Sequence, residues 1–170
     1  FAADAVRAMI AAGDAASAAR WLALAEQTAL RSPDGARAVV DLWPLVQLGN
    51  PDRPLNQGRL DAWWDSQGEL PDPQRRDRVG LLFGLLDALG VEVPATYWTK
   101  LLFGPARVTT TVPATPVWHA LVRSSAELHI GETVLLSLMV LGNGGPATAS
   151  EPVLATVISS LVETGLKPIN

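Results

Sequence analysis

Apolar residues recur at helical spacing along most of the chain, and the recurrences break at glycine followed by proline. The stretch from Val79 carries Leu82, Leu85, Leu86 and Leu89 on one face of a 3.6-residue period. Four such stretches end alike. Leu48-Gly49 precedes Pro51, Leu89-Gly90 precedes Pro94, Leu141-Gly142 precedes Pro146, and Thr164-Gly165 precedes Pro168. Glycine past the last turn takes the left-handed conformation that closes a helix. Proline soon afterwards cannot continue the old helix but suits the first turn of the next. The pattern predicts helices over 2–12, 15–30, 35–48, 55–67, 73–89, 94–103, 116–127, 131–142 and 151–164. Asp34 and Ser150 are the expected N-caps for two of them. The fold class that follows is all-α: about eight or nine helices in antiparallel pairs, as an irregular α-solenoid or bundle. The punctuating glycines stand 41, 52 and 23 residues apart, which excludes a regular repeat.

Two segments stand out from this rhythm. On the helix from Val79, Gly80, Gly84 and Ala88 form a small-residue stripe at i, i+4, i+8. Two glycines inside a helix cost roughly 1 kcal/mol each against alanine, and the close approach of a neighbouring helix offsets that. The other segment, Val108-Thr109-Thr110-Thr111-Val112, is β-branched throughout and flanked by Pro105, Pro113 and Pro116. It has strand composition but no partner strand elsewhere, so it reads as an extended linker. The expected organisation is an N-terminal helical group over 1–104, a Pro/Thr linker over 105–116, and a C-terminal group over 117–170.

Composition narrows the function classes. Of 170 residues, 48% are hydrophobic and 18% charged, enough apolar material for a sizeable core, which excludes wholesale disorder. Lys+Arg 13 against Asp+Glu 17 gives a net charge of -4, and no like-charge block exceeds Arg75-Arg76-Asp77-Arg78. A nucleic-acid partner needs a basic face, so none is expected. Cysteine is absent, which removes disulfides, thiolate metal ligands and thiol nucleophiles. No apolar run reaches the ~18 residues of a membrane span. Arg outnumbers Lys by 11 to 2, a bias that suggests a GC-rich bacterial genome. A soluble bacterial protein of cytoplasm or periplasm is expected, and Phe1 and the Gly165–Asn170 end read as parts of something longer.

Candidate chemistry is sparse. His129 and Glu132 stand at i, i+3 and could share a helix face as metal ligands, but Leu128-His129-Ile130-Gly131 reads as a turn between helices. His119 lies about two turns from Glu127. No metal site or cofactor is expected. Serines 124, 125, 137, 159 and 160 fall inside helices, and no nucleophile elbow is present. Asp61 and Asp65, at i, i+4 beside Trp63 and Trp64, have the chemistry of a sugar-cleaving pair, yet two carboxylates on one exposed helix more often form a solvated face. Gly142-Asn143-Gly144-Gly145 lacks the flanks of a phosphate loop and reads as a turn. No catalytic constellation emerges, and the expectation is a protein that is not an enzyme.

The six tryptophans are the compositional oddity: Trp21, Trp43, Trp63, Trp64, Trp98 and Trp118. Most fill space between helices. Adjacent residues on a helix point about 100° apart, so Trp63-Trp64 and Tyr97-Trp98 need not both be buried. An exposed Trp marks a binding surface. Arg75, Arg76 and Arg78 open the glycine-striped helix, where positive charge opposes the helix dipole and could meet an acidic partner. The candidate binding residues are therefore Trp63, Trp64, Tyr97 and Trp98, with Arg75, Arg76 and Arg78 as a charged rim.

Near the N-terminus, Gly13-Asp14 followed by Ala18, Leu22 and Ala25 resembles the second half of a tetratricopeptide-type helical hairpin. The resemblance covers residues 1–33, with Pro33 in the place of a closing proline some three positions late. The first-helix signature of Trp, Leu-Gly and Tyr is missing. The resemblance implies a scaffold that binds peptides or proteins on one face. The functional expectation is a non-enzymatic protein–protein interaction or scaffolding module of a larger bacterial protein, its partner another protein or a second copy of itself. The alternative is a helical accessory domain of a peptidoglycan-processing enzyme.

Overall fold

The computed structural model describes residues 2–29, 32–70, 72–102 and 112–166. Among these the chain is all-α and has no strand. In order come α1 (Ala2–Ala11), α2 (Ala15–Ala29), α3 (Pro33–Gly49), α4 (Gln57–Ser66), α5 (Asp72–Ala88), α6 (Ala95–Leu102), α7 (Thr115–Ala126), α8 (Ile130–Leu141) and α9 (Glu151–Glu163). The glycine–proline punctuation thus marks real helix ends. The N-cap of α3 is Ser32 rather than Asp34: Pro33 takes the first helical position, and the Gly35 amide donates to Ser32 Oγ at 3.4 Å. Asp34 falls in the first turn, where its charge suits the dipole. Ser150 does occupy the N-cap of α9, though without a side-chain bond to the helix amides.

Helix ends show why glycine was needed and where something else replaces it. Gly90 (φ +79°) and Gly165 (φ +90°) close α5 and α9 with paired bonds. Gly90 N donates to Asp87 O and Val91 N to Leu86 O; Gly165 N donates to Val162 O and Leu166 N to Leu161 O. These are Schellman closures, which satisfy the last carbonyls of the helix. The end of α7 repeats the bonds, from Leu128 N to Ser125 O and from His129 N to Ser124 O, but its left-handed residue is Leu128 at φ +59°. Gly49 departs from the expected role. It is the last residue of α3 and has no positive φ, and a Cβ there would lie 3.0 Å from Ile10 Cδ1 and 3.2 Å from Ala15 Cβ. Its small size admits α1 and the start of α2.

The chain divides into two compact units. In the first, residues 2–75 among those described, α1, α2 and α3 pack on one another and α4 packs on α3. Its core holds Val6, Ala18, Leu22, Leu42, Trp43, Leu60 and Trp63. Asp14 caps α2 by accepting from Ser17 N at 2.9 Å, and Ala18, Leu22 and Ala25 are all buried. Buried Asn50 ties α3 to α2: its Nδ2 donates to Ala15 O at 3.1 Å and to Val46 O at 2.8 Å. Arg59 on α4 reaches Glu26 on α2 at 2.8 Å.

The second unit runs from Arg76 to residue 166 among those described. Here α7, α8 and α9 pack around Leu121, Val140, Val153 and Val157, with Trp118, Leu136 and Leu161 against them. Small hydroxyl side chains line the rest of that seam: Ser124, Thr133, Ser137 and Ser160 are buried, and Ser124 Oγ lies 3.0 Å from Thr133 Oγ1. The glycine stripe of α5 faces α9. A Cβ on Gly84 would sit 3.5 Å from Ala155 Cβ, and one on Gly80 would sit 2.6 Å from Glu151 Oε2. Close helix packing is therefore what the stripe permits. It also draws most of α5 into a unit with α9, so the division falls inside α5, between Arg75 and Arg76, and α5 and α6 group with the C-terminal helices. Of the 105–116 linker, residues 105–111 lie outside the described residues; 112–114 have no regular structure, and Thr115 opens α7.

Candidate functional site

The adjacent aromatic pairs divide as helix geometry requires. On α4, Trp63 is 1% exposed and belongs to the core of the first unit, while Trp64, one position on, is half-buried. The guanidinium of Arg75 lies over the Trp64 ring, 5.0 Å from its centroid. That contact is attractive because the ring face carries partial negative charge. On α6, Tyr97 is buried at 3% exposure and Trp98 is at the surface at 36%. Both rings meet Phe83 of α5 edge-on, Tyr97 at 6.0 Å between centroids and Trp98 at 5.5 Å. Lys100 Nζ stands 4.9 Å from the Tyr97 ring centroid.

The predicted site residues thus fall in both units. Trp63, Trp64 and Arg75 belong to the first; Arg76, Arg78, Tyr97 and Trp98 belong to the second. Arg75 and Arg76 are half-buried and Arg78 is exposed. Trp63 and Tyr97 are core rings, and of these four aromatic residues Trp64 and Trp98 are the ones that keep solvent exposure. Trp63 brings a polar strain of its own. Its Nε1 and the Oε1 of buried Gln67 have no hydrogen-bond partner among the described residues, although Gln67 Nε2 donates to Trp63 O at 3.2 Å.

The other candidate chemistries resolve into local structure. His129 sits before α8, and its Nδ1 lies 3.6 Å from Glu127 Oε2 and 3.4 Å from Glu132 Oε2. All three side chains are about half exposed. Among the described residues no group of three or more His, Asp or Glu is placed to hold a metal ion. Asp61 and Asp65 are both exposed on α4. Ser125 and Ser159 donate back to Val122 O and Thr156 O, each at 3.0 Å. Ser124 contacts Thr133 and His129 O, and Ser137 Oγ is buried with no hydrogen-bond partner among the described residues. No described helix is long and apolar enough to cross a membrane.

Sequence reasoning missed one surface. On α8, Leu135, Leu138 and Met139 are 61–64% exposed, and Leu128 and Ile130 extend the exposure towards its N-terminus. The signal was present in the absence of charge: after Glu132, no charged residue occurs until Glu151.

Compared with protein-family models, with curated proteins and with solved structures, the chain matches none.

Proposed function

We propose that this chain is a non-enzymatic protein-interaction module, part of a larger scaffold. One observation carries the reading: each adjacent aromatic pair places one ring in a core and leaves its neighbour, Trp64 or Trp98, reachable from solvent. Both rings are backed by packed neighbours, Trp64 by Arg75 and Trp98 by Phe83. A rigidly held, partly exposed Trp loses little conformational freedom on binding, and such residues dominate the energetics of protein interfaces. Arg76 and Arg78 supply a charged rim beside the second unit's aromatic residues in this reading. The small, apolar packing of Ala18, Leu22 and Ala25 after the Gly13-Asp14 turn is in keeping with a helical-hairpin scaffold.

The test is a pull-down of stoichiometric partners from native cells with wild-type chain, Trp64→Ala and Trp98→Ala, alongside thermal melts of each. Recovery of one dominant partner that falls at least about tenfold in a variant, with melting little changed, is the expected result. Equal recovery by all three proteins would overturn the assignment of these rings.

A further inference from the structure

α8 carries more exposed large apolar side chains than any other described helix. Thr133, Ser137 and Val140 point inward and are buried, while Gly131, Leu135, Leu138 and Gly142 are exposed. Gly131, Leu135 and Leu138 stand at intervals of 4 and 3, the spacing of a two-helix seam, and Gly142 is the cap that ends the helix four residues on. With Met139, Leu128 and Ile130 the exposed side chains amount to roughly 600 Å², at the top of the range for a soluble monomer and short of the ~800 Å² each partner contributes to a standard stable complex.

We propose that two copies of this chain pair through α8, antiparallel about a two-fold axis, with Leu135 of each copy against Leu138 of the other. A two-fold interface must be complementary to itself, and reversal about the point between Leu136 and Ser137 meets that condition. Leu135 falls opposite Leu138, Val134 opposite Met139, and Gly131 opposite Gly142. Charge selects the same orientation. Glu132 is the one charged residue of α8. In a parallel pair two Glu132 carboxylates would lie side by side. In the antiparallel pair they are nine residues apart along the axis, about 13 Å, beyond the screening length at physiological salt. Each then lies opposite Leu141 of the other helix. Antiparallel helices also set each N-terminus beside a C-terminus, which the dipoles favour. The modest area makes the dimer concentration-dependent.

Sedimentation equilibrium of the 170-residue chain from about 1 µM to 1 mM spans the affinities such an interface gives. The expected weight-average mass rises from 18.0 kDa towards twice that value. Leu138→Glu, and independently Leu135→Lys, weaken association at least about tenfold and leave the melting temperature of the monomer little changed, because both side chains are already in water. The cysteine-free sequence allows the register to be read directly. A mixture of Leu135→Cys and Leu138→Cys chains forms a disulfide between copies under mild oxidation faster than Glu132→Cys chains do with each other. A mass of 18.0 kDa at every concentration, a dimer indifferent to both charged substitutions, or faster cross-linking through Glu132→Cys would each overturn the proposal.

Discussion

Leu128 is a leucine in the left-handed position that Gly90 and Gly165 hold at the ends of α5 and α9, and the consequence is a reversal of the usual alanine–glycine order. Substituting Leu128 by Ala and by Gly removes the same exposed side chain in both cases, so the comparison isolates the backbone. A left-handed L-residue costs about 1–2 kcal/mol. Glycine avoids that cost but loses about 0.4–1 kcal/mol through the greater freedom of its unfolded chain. The φ of +59° at Leu128 therefore places Leu128→Gly ahead of Leu128→Ala by roughly 0.5–1 kcal/mol. At Val122, inside α7, the order is the ordinary one, with alanine ahead of glycine by about 0.8–1 kcal/mol. The swing between the two sites is about 1.5 kcal/mol, which corresponds to roughly 3–6 °C in a chain of this size. Thermal and urea unfolding followed by far-ultraviolet circular dichroism at low micromolar concentration measure all four variants. If alanine is the more stable residue at both positions, the α7 end does not hold Leu128 in the left-handed conformation and the reasoning fails.

Four further outcomes follow from the packing. Ser137→Ala removes a buried hydroxyl that has no partner among the described residues, so the variant should be more stable than wild type by about 1 kcal/mol in urea unfolding. Asn50→Ala strips the bond to Ala15 O and should cost about 1–3 kcal/mol, read by the same assay. Gly84→Ala should be tolerated or mildly stabilising, since its Cβ would meet Ala155 at ordinary contact distance, whereas Gly84→Leu should cost about 1–3 kcal/mol by forcing α9 away; melting temperatures of the pair decide it. The carboxyl of Asp14 is held below the usual aspartate range by hydrogen bonds from the Ser17 side chain and backbone, with Arg20 adding a smaller share. A lowered pKa in the fold means stability present above the ordinary value of about 3.9 and lost as pH falls through the folded value. The stability difference between wild type and Asp14→Asn should accordingly shrink below about pH 4 in acid unfolding curves.

The helices were legible because their ends are written in residues with few conformational alternatives. Gly90 and Gly165 closed helices where the sequence said they would, and the Gly80–Gly84 stripe meant close helix packing. The adjacency of Trp63 with Trp64, and of Tyr97 with Trp98, required divergent rings, but periodicity could not say which ring faced inward. That choice depends on what packs against each helix. Leu128 was illegible because composition gives no sign of a left-handed leucine. Gly49 was misassigned for the opposite reason: a glycine at a helix end looks the same whether it turns the chain or admits a neighbour. Asn50 and Ser137 are single polar letters among apolar ones, and their burial arises only in the assembled unit. The α8 surface escaped notice because a helix apolar on most sides reads as core until its neighbours are known to cover only one face.

The contact of α9 with Gly80 and Gly84 also orders events in time. The described residues of the first unit have all been made once Arg75 has been added, and every contact described within it joins helices that lie close along the chain. The second unit cannot be completed until Ala155 emerges, because α5 lacks the helix that covers its glycine face. At cellular translation rates of about 5–20 residues per second, the intervening 80 residues take roughly 4–16 s. During that interval a finished N-terminal unit is tethered to a bare glycine stripe and, once α8 is made, to an uncovered leucine face. Vectorial synthesis therefore imposes a delay on the unit whose folding depends on α9.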